Sequence, residues 1–206
     1  MLEKLIVYVE EYSMELALEH LLPKLLGDVE FEIKRFQCKD DLLKQMPDRL
    51  KAYSSWLPAN WAIIVLLDRD DDDALQLKQN MENITAQAGL ISKTTAGNGK
   101  CFQVVNRIAV EELEAWFFGD WTAVQAAYSR VPITIPQKAP YRNSDAIAGG
   151  TWKALERILK KAGYFSGGLR KLELARAVAQ HMEPVRNTSR SFQAFRGAVS
   201  AAVSWI

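Results

Sequence analysis

The run Ala62-Ile63-Ile64-Val65-Leu66-Leu67 ends abruptly in Asp68, Arg69, Asp70, Asp71, Asp72 and Asp73. This junction restricts the fold more than any other part of the chain. A short apolar run rich in β-branched residues and bounded by polar ones describes a strand buried on both faces, as in parallel sheets. Open parallel sheets bind ligands beyond the carboxyl ends of their strands, so the aspartates stand where such proteins place their chemistry. Crowded carboxylates repel one another and need a counter-charge. A hard divalent cation, Mg²⁺ or Mn²⁺, is the economical partner, because it takes oxygens from one or two carboxylates and leaves room for substrate phosphates.

The remaining periodicity sets that strand in an alternating chain. Leu5, Ile6, Val7, Tyr8 and Val9 form a first strand, and an amphipathic helix runs from Ser13 through Leu16, Leu18, Leu21, Leu22 and Leu25 to Gly27. The Ser13 hydroxyl is placed to cap it, with Glu15 in the favourable first turn. Phe31 and Ile33 alternate with charged neighbours in a second, more exposed strand over 30–36, and a helix over 40–53 is expected to break or end near Pro47. Beyond the 61–67 strand, Leu75, Leu77, Met81 and Ile84 give helical spacing. Residues 91–95 and 102–110 supply further strands, and a helix carrying Glu111, Glu112 and Glu114 runs to Phe118. This is the signature of an α/β fold, a parallel sheet sandwiched by helices. Pro132, Pro136, Pro140, Gly149 and Gly150 then loosen the pattern. The division that results is an α/β domain over 1–128, an irregular connector over 129–150 and a helical C-terminal lobe over 151–206 packed on the first.

At 206 residues, 49% hydrophobic and 25% charged, the chain can bury one good core. No apolar segment reaches the roughly 18 residues of a membrane span, and no leader-like segment opens the chain, so a cytoplasmic location is expected. Cys38 and Cys101 belong to no C-x-x-C pair and read as buried free thiols, while two histidines exclude a histidine-rich metal centre. The net charge of +1 hides an asymmetry. Residues 1–150 carry 16 basic and 22 acidic side chains, whereas 151–206 carry 10 and 3. An acidic, metal-binding part joined to a basic part suits a polyanion such as nucleic acid; lysine- and arginine-rich helix surfaces are the plain alternative.

Acids recur at the ends of the expected strands. Glu10 and Glu11 follow the first, Asp68 and Asp70 the third, and Glu111 and Glu114 lie on one face of a later helix. Asp70 to Asp73 also suit an N-cap cluster, and Glu111, Glu112 and Glu114 suit a helix N-terminus without further function. An EF-hand fails, because Asp73 stands where the loop needs Gly and Gln79 where it needs a bidentate Glu. No glycine-rich P-loop is present. Ser189, Arg190 and Ser191 form a candidate phosphate contact at the start of the last helix.

Three segments carry a resemblance: Val7-Tyr8-Val9-Glu10-Glu11, Asp68-Arg69-Asp70, and Arg107 to Asp120 with its Glu114-Ala115-Trp116 core. With the ending Asn187-Thr188-Ser189-Arg190-Ser191-Phe192, they resemble a bacterial domain-of-unknown-function family, DUF4276, itself similar to TOPRIM domains. The resemblance implies a TOPRIM-like, Rossmann-like fold and a Mg²⁺-dependent phosphodiester hydrolase, nuclease-like. Glu10 matches the TOPRIM glutamate, acting as general acid or base, and Asp68 and Asp70 match the D-x-D that holds the metal. Glu114 is a further ligand or orients one, and Glu11, Asp72 and Glu111 are secondary candidates. TOPRIM domains place Gly after the strand-one Glu where this chain has Glu11, so the role falls to either glutamate. By analogy such proteins act beside an ATPase partner in phage defence. The alternatives are an aspartyl-nucleophile phosphatase and a non-catalytic interaction module, for which Trp116, Phe117, Phe118 and Trp121 could furnish an interface, although four aromatics at helical spacing are more often core.

Overall fold

A strand that is apolar on both faces needs a helix layer on each side, and the structure supplies two. The computed structural model of the chain describes residues 1–70, 72–97, 101–109 and 112–205. Strands β1 (Lys4–Val9), β2 (Glu30–Arg35), β3 (Trp61–Asp68) and β4 (Val104–Ala109) form one parallel sheet in the order β2-β1-β3-β4. Val9 pairs with Leu66 and Asp68 with Ala109, so the acidic ends of β1 and β3 lie at the same edge. The helices are α1 (Tyr12–Leu26), α2 (Lys39–Ser54), α3 (Ala74–Gln87), α4 (Lys93–Ala96), α5 (Leu113–Gly119), α6 (Trp121–Ala127), α7 (Thr151–Lys161), α8 (Lys171–Ala179) and α9 (Arg190–Trp205).

Side-chain alternation divides the core. Leu5, Val7 and Val9 join Ala62, Ile64, Leu66 and Val105 on the α1 face, whereas Ile6, Tyr8, Ile63, Val65 and Leu67 meet Leu42, Met46, Leu77 and Met81 of α2 and α3. The chain steps from β1 to β2 in one direction and reaches β3 and β4 in the other. Crossovers of one hand therefore put α1 on one face and α2 and α3 on the other. The C-terminal helices join the α1 face: α8 packs along α1, and α9 lies on β4 and β3. Leu155, Leu174, Val178, Phe192 and Phe195 belong to the same apolar cluster as β1, so the 151–206 lobe shares the core of the α/β part.

Several expectations need correction. Pro47 lies inside α2, which runs through it. Leu42 and Met46 before the proline and Leu50 after it are all fully buried, and three such side chains at roughly 1.5–3 kcal/mol each outweigh a break worth about 3 kcal/mol. Residues 91–95 make only a single bridge, Ser92 to Val104; Ser92 instead caps α4 by accepting from Thr95 N at 3.1 Å. Ser13 sits within α1 rather than before it, and Glu11 takes the N-cap position. Cys38 and Cys101 are free, as expected, but exposed. Trp116, Phe117, Phe118 and Trp121 are buried, with the Trp116 ring 5.2 Å from Phe195 and 5.1 Å from Phe192, so of the two readings open to them they take the core one.

One distant segment, residues 183–189, clamps the end of α5. Asn187 Nδ2 donates to Trp116 O at 2.8 Å and Thr188 N to Gly119 O at 2.9 Å. Buried Asp120 holds Arg186 at 2.7 Å and accepts from Glu183 N at 2.8 Å. The approach is so close that a Cβ on Gly119 would stand 2.2 Å from Asn187 Oδ1 and 2.7 Å from Ser189 N. Gly119→Ala is therefore expected to lower unfolding free energy in urea by about 1–3 kcal/mol. Gly167→Ala, where an added Cβ meets nothing within 4 Å, should leave it within about 0.5 kcal/mol.

Candidate metal centre

The gap between β1 and β3 is where the strand order reverses, and ligands of open α/β sheets bind at such switch points. Glu10 leaves β1 there and its Oε1 accepts a hydrogen bond from the backbone N–H of Asp68, the last residue of β3. Strand alternation puts Asp68 on the α1 face, the parity of Ala62, Ile64 and Leu66. Glu114 enters from the first turn of α5. Its neighbour Glu112 caps α7 instead, accepting from Thr151 Oγ1 at 2.8 Å and Trp152 N at 3.0 Å. Glu11 completes the acidic rim, its carboxylate bound by the Ser13 hydroxyl.

These carboxyls are out of water. Glu10, Asp68 and Glu114 are 8%, 5% and 2% exposed, and burial is the leading reason that all three hold protons more tightly than usual. Glu114 rises to about 7, opposed by the charge of Lys171. Glu10 also rises to about 7, although the Asp68 N–H and Lys39 favour its anion. Asp68 is raised well above the ordinary aspartate range, first by burial and then by the charges of Glu10, Glu11, Glu114 and Asp70. Asp68 Oδ1 and Glu114 Oε2 are buried and meet no hydrogen-bond donor.

Two lysines answer this charge; sequence reading missed Lys39 and placed Lys171 only among the basic residues of 151–206 that suit a polyanion. Burial works against the ammonium of Lys171 at the start of α8, but Glu114, Glu11, Glu112 and Asp68 outweigh it and hold its pKa up. Lys39, the first residue of α2, pairs with Asp70 at 2.7 Å and Asp72 at 2.8 Å. A parallel sheet starts every helix at the strands' carboxyl edge, so Lys39 was findable from topology. Lys171 was not, because only the packing of α8 on α1 brings it in.

The candidates thus separate. Glu10, Asp68 and Glu114 converge with Glu11 beside them, whereas Asp70 and Asp72 are exposed and turned to Lys39. Asp73 caps α3, accepting from Leu75 N and Gln76 N. Glu111 and Asp71 lie outside the described residues. Ser189 and Arg190 offer no open phosphate site, because the chain's own Asp145 fills it. The Asp145 carboxylate accepts from Ser189 Oγ at 2.8 Å, Ser191 Oγ at 2.7 Å and Arg190 N at 2.7 Å. Of the C-terminal bases, Lys160, Arg170 and Arg186 are spent on Glu156, Glu173 and Asp120. Among the described residues no three His, Cys, Asp or Glu side chains are arranged to hold a metal ion as they stand. The donor chemistry nonetheless fits a hard cation, since two desolvated carboxylate oxygens lack any partner.

A family model described as "Domain of unknown function (DUF4276)" matches residues 9–200. The chain belongs to the DUF4276 family. The match takes in Glu10, Asp68, Glu114, the end of α5 and the segment that clamps it. No curated protein and no solved structure matches this DUF4276 chain. None of its described helices is long and apolar enough to cross a membrane.

The Glu114 carboxyl keeps its proton in the folded state between its ordinary 4.5 and about 7, a range in which the unfolded chain releases it. Its contribution to stability is therefore present below pH 4.5 and falls as pH rises through about 7. Glu114→Gln should raise stability at pH 8 by on the order of 1–3 kcal/mol and change it little at pH 5, measured by urea unfolding at the two values.

Proposed function

We propose that this chain is a metal-dependent phosphodiester hydrolase acting on nucleic acid, with its centre at Glu10, Asp68 and Glu114. The observation that carries the reading is the pair of buried, partnerless oxygens, Asp68 Oδ1 and Glu114 Oε2, at the switch point of the sheet. An unpartnered buried carboxylate is strongly destabilising, and a bound cation would supply what both oxygens lack. The TOPRIM-like pattern of a glutamate after the first strand and an aspartate after the third supports the same reading. Asp68 and Glu114 would hold a Mg²⁺ or Mn²⁺ ion, with Glu10 or Glu11 beside them. A bound ion supplies Lewis-acid stabilisation of charge developing on phosphate oxygens.

The chain's own groups have separable tasks. Glu10, raised to about 7, is poised to take a proton from water or return one to a leaving oxygen near neutral pH. Lys171, on the far side of the acids, offers an ammonium to a phosphate oxygen. Held by an ATPase partner, such an activity would serve as a phage-defence effector.

Mn²⁺ titration calorimetry is expected to show binding that tightens as pH rises through about 7 and is lost in Asp68→Asn. Hydrolysis of bis(p-nitrophenyl) phosphate or of labelled oligonucleotides should fall at least about 100-fold in Asp68→Asn and Glu10→Gln. Wild-type chain that takes up no Mn²⁺ at millimolar concentration, or Asp68→Asn that binds it unchanged, would overturn the proposal.

A further inference from the structure

An indole that belongs to neither apolar core stands beside the buried acids. Trp152, the second residue of α7, is half-buried and joins neither of the clusters that pack the two faces of the sheet. Its backbone N–H donates to Glu112 Oε2 at 3.0 Å, two residues before Glu114, which ties the start of α7 to the acidic edge. Lys171 Nζ lies 5.8 Å from the centre of the Trp152 ring and Lys153 Nζ 5.7 Å from it. Both ammonium groups stand at the outer limit of a cation–π contact, beyond the roughly 3.5–4 Å of direct packing, so neither seals the ring. Lys171 also meets the charges of Glu114, Glu11, Glu112 and Asp68, and one ammonium thus joins the indole to the buried centre. Lys153 is exposed and in no ion pair among the described residues, and the same holds for Arg157, one turn further along the same face of α7. A ring kept out of the core and bordered by positive charge matches a planar ligand that carries anions, with a nucleobase on the π-face and its phosphates on the cations.

We propose that Trp152 is a base-stacking platform at the mouth of the acidic centre, that Lys153 and Arg157 take phosphates of the strand leading away from it, and that the substrate is single-stranded nucleic acid. The inference rests on the proposed hydrolase reading and names its substrate class. A base inside a duplex has both faces covered by its neighbours, so only an unstacked one is free to lie on the indole. Every base has a π-face, so the platform selects an open strand and not a sequence. A base held on Trp152 carries its adjoining phosphate to Lys171, whose charge already meets Glu114 and Asp68.

The test is fluorescence anisotropy of labelled oligothymidylate with the full chain carrying Asp68→Asn, in which binding is read without hydrolysis. Trp152→Ala added to that parent is expected to weaken binding at least about fivefold, and Trp152→Phe, which keeps a π-face, by no more than about twofold. An abasic strand of the same length should bind the parent as weakly as oligothymidylate binds Trp152→Ala, and should lose nothing further from that substitution. The abasic comparison on the parent needs no change at Trp152 and so stands even if Trp152→Ala fails to fold. A blunt duplex should bind Trp152→Ala as it binds the parent. The proposal is overturned if the parent binds abasic and ordinary strands alike or binds neither, if Trp152→Ala binds oligothymidylate as the parent does, or if it weakens duplex binding to the same extent. Failure of the metal centre shows separately, as wild-type chain that takes up no Mn²⁺ while strand binding stays base-dependent.

Discussion

A hydrogen bond from the Asp68 amide to the Glu10 carboxylate spans the place where the sheet changes direction. Much of the acidic edge is organised around it. The chain leaves β1 toward one side and returns as β3 on the other, so the two strands are neighbours in space though 51 residues separate Val9 from Trp61. The crossover helices that cover the faces diverge at that point, which is why a crevice opens between these strand ends. Glu10 takes up a backbone donor that the end of β3 would otherwise point into the crevice. Its charge also raises the proton affinity of Asp68, after the larger effect of burial.

Such an arrangement is unfavourable to the fold that contains it. Three desolvated carboxyls, with two oxygens left unpartnered, lower stability above neutral pH, and apolar residues of similar size would serve packing better. The lysines limit the damage without removing it. Lys171 faces Glu114, Glu112, Glu11 and Asp68 together, and Lys39 neutralises the outer aspartates. The two large cores on either side of the sheet supply the stability that tolerates this strain. Residues kept against the interest of the fold are the ones for which a function is the economical explanation.

The parallel sheet was legible because Ala62 to Leu67 is apolar on every residue, and period alone then fixes a two-sided burial. All four strands of the sheet fall within two residues of their expected bounds. The 91–95 strand failed because β-branched Ile91, Thr94 and Thr95 surround a serine that finds a better use as a helix cap. Pro47 misled because a local rule was outweighed by burial on both sides of it. At the acidic edge, strand-end position pointed to Glu10, Asp68 and Glu114, the three buried carboxyls there. It could not separate Asp68 from Asp70, which share strand parity; β3 ends at Asp68, and Asp70 beyond it takes φ +49° and turns to Lys39, which lies on a different element.

The segments most particular to the family resemblance act one level away from the acids. The stretch from Trp116 to Asp120 is gripped by Asn187, Thr188 and Arg186 through backbone and buried ionic contacts, and the start of α9 is filled by Asp145. None of these groups is free to receive a phosphate. What they fix is the end of α5, and with a helix only seven residues long the position of its last turn determines that of its first. Glu114 stands in that first turn. The clamp is thus the means by which a residue so far along the chain is held against the end of β3, and its close approach at Gly119 leaves the helix little room to slide. A centre built from three remote segments needs such a constraint, because side-chain burial alone would tolerate a displacement that ligand geometry would not.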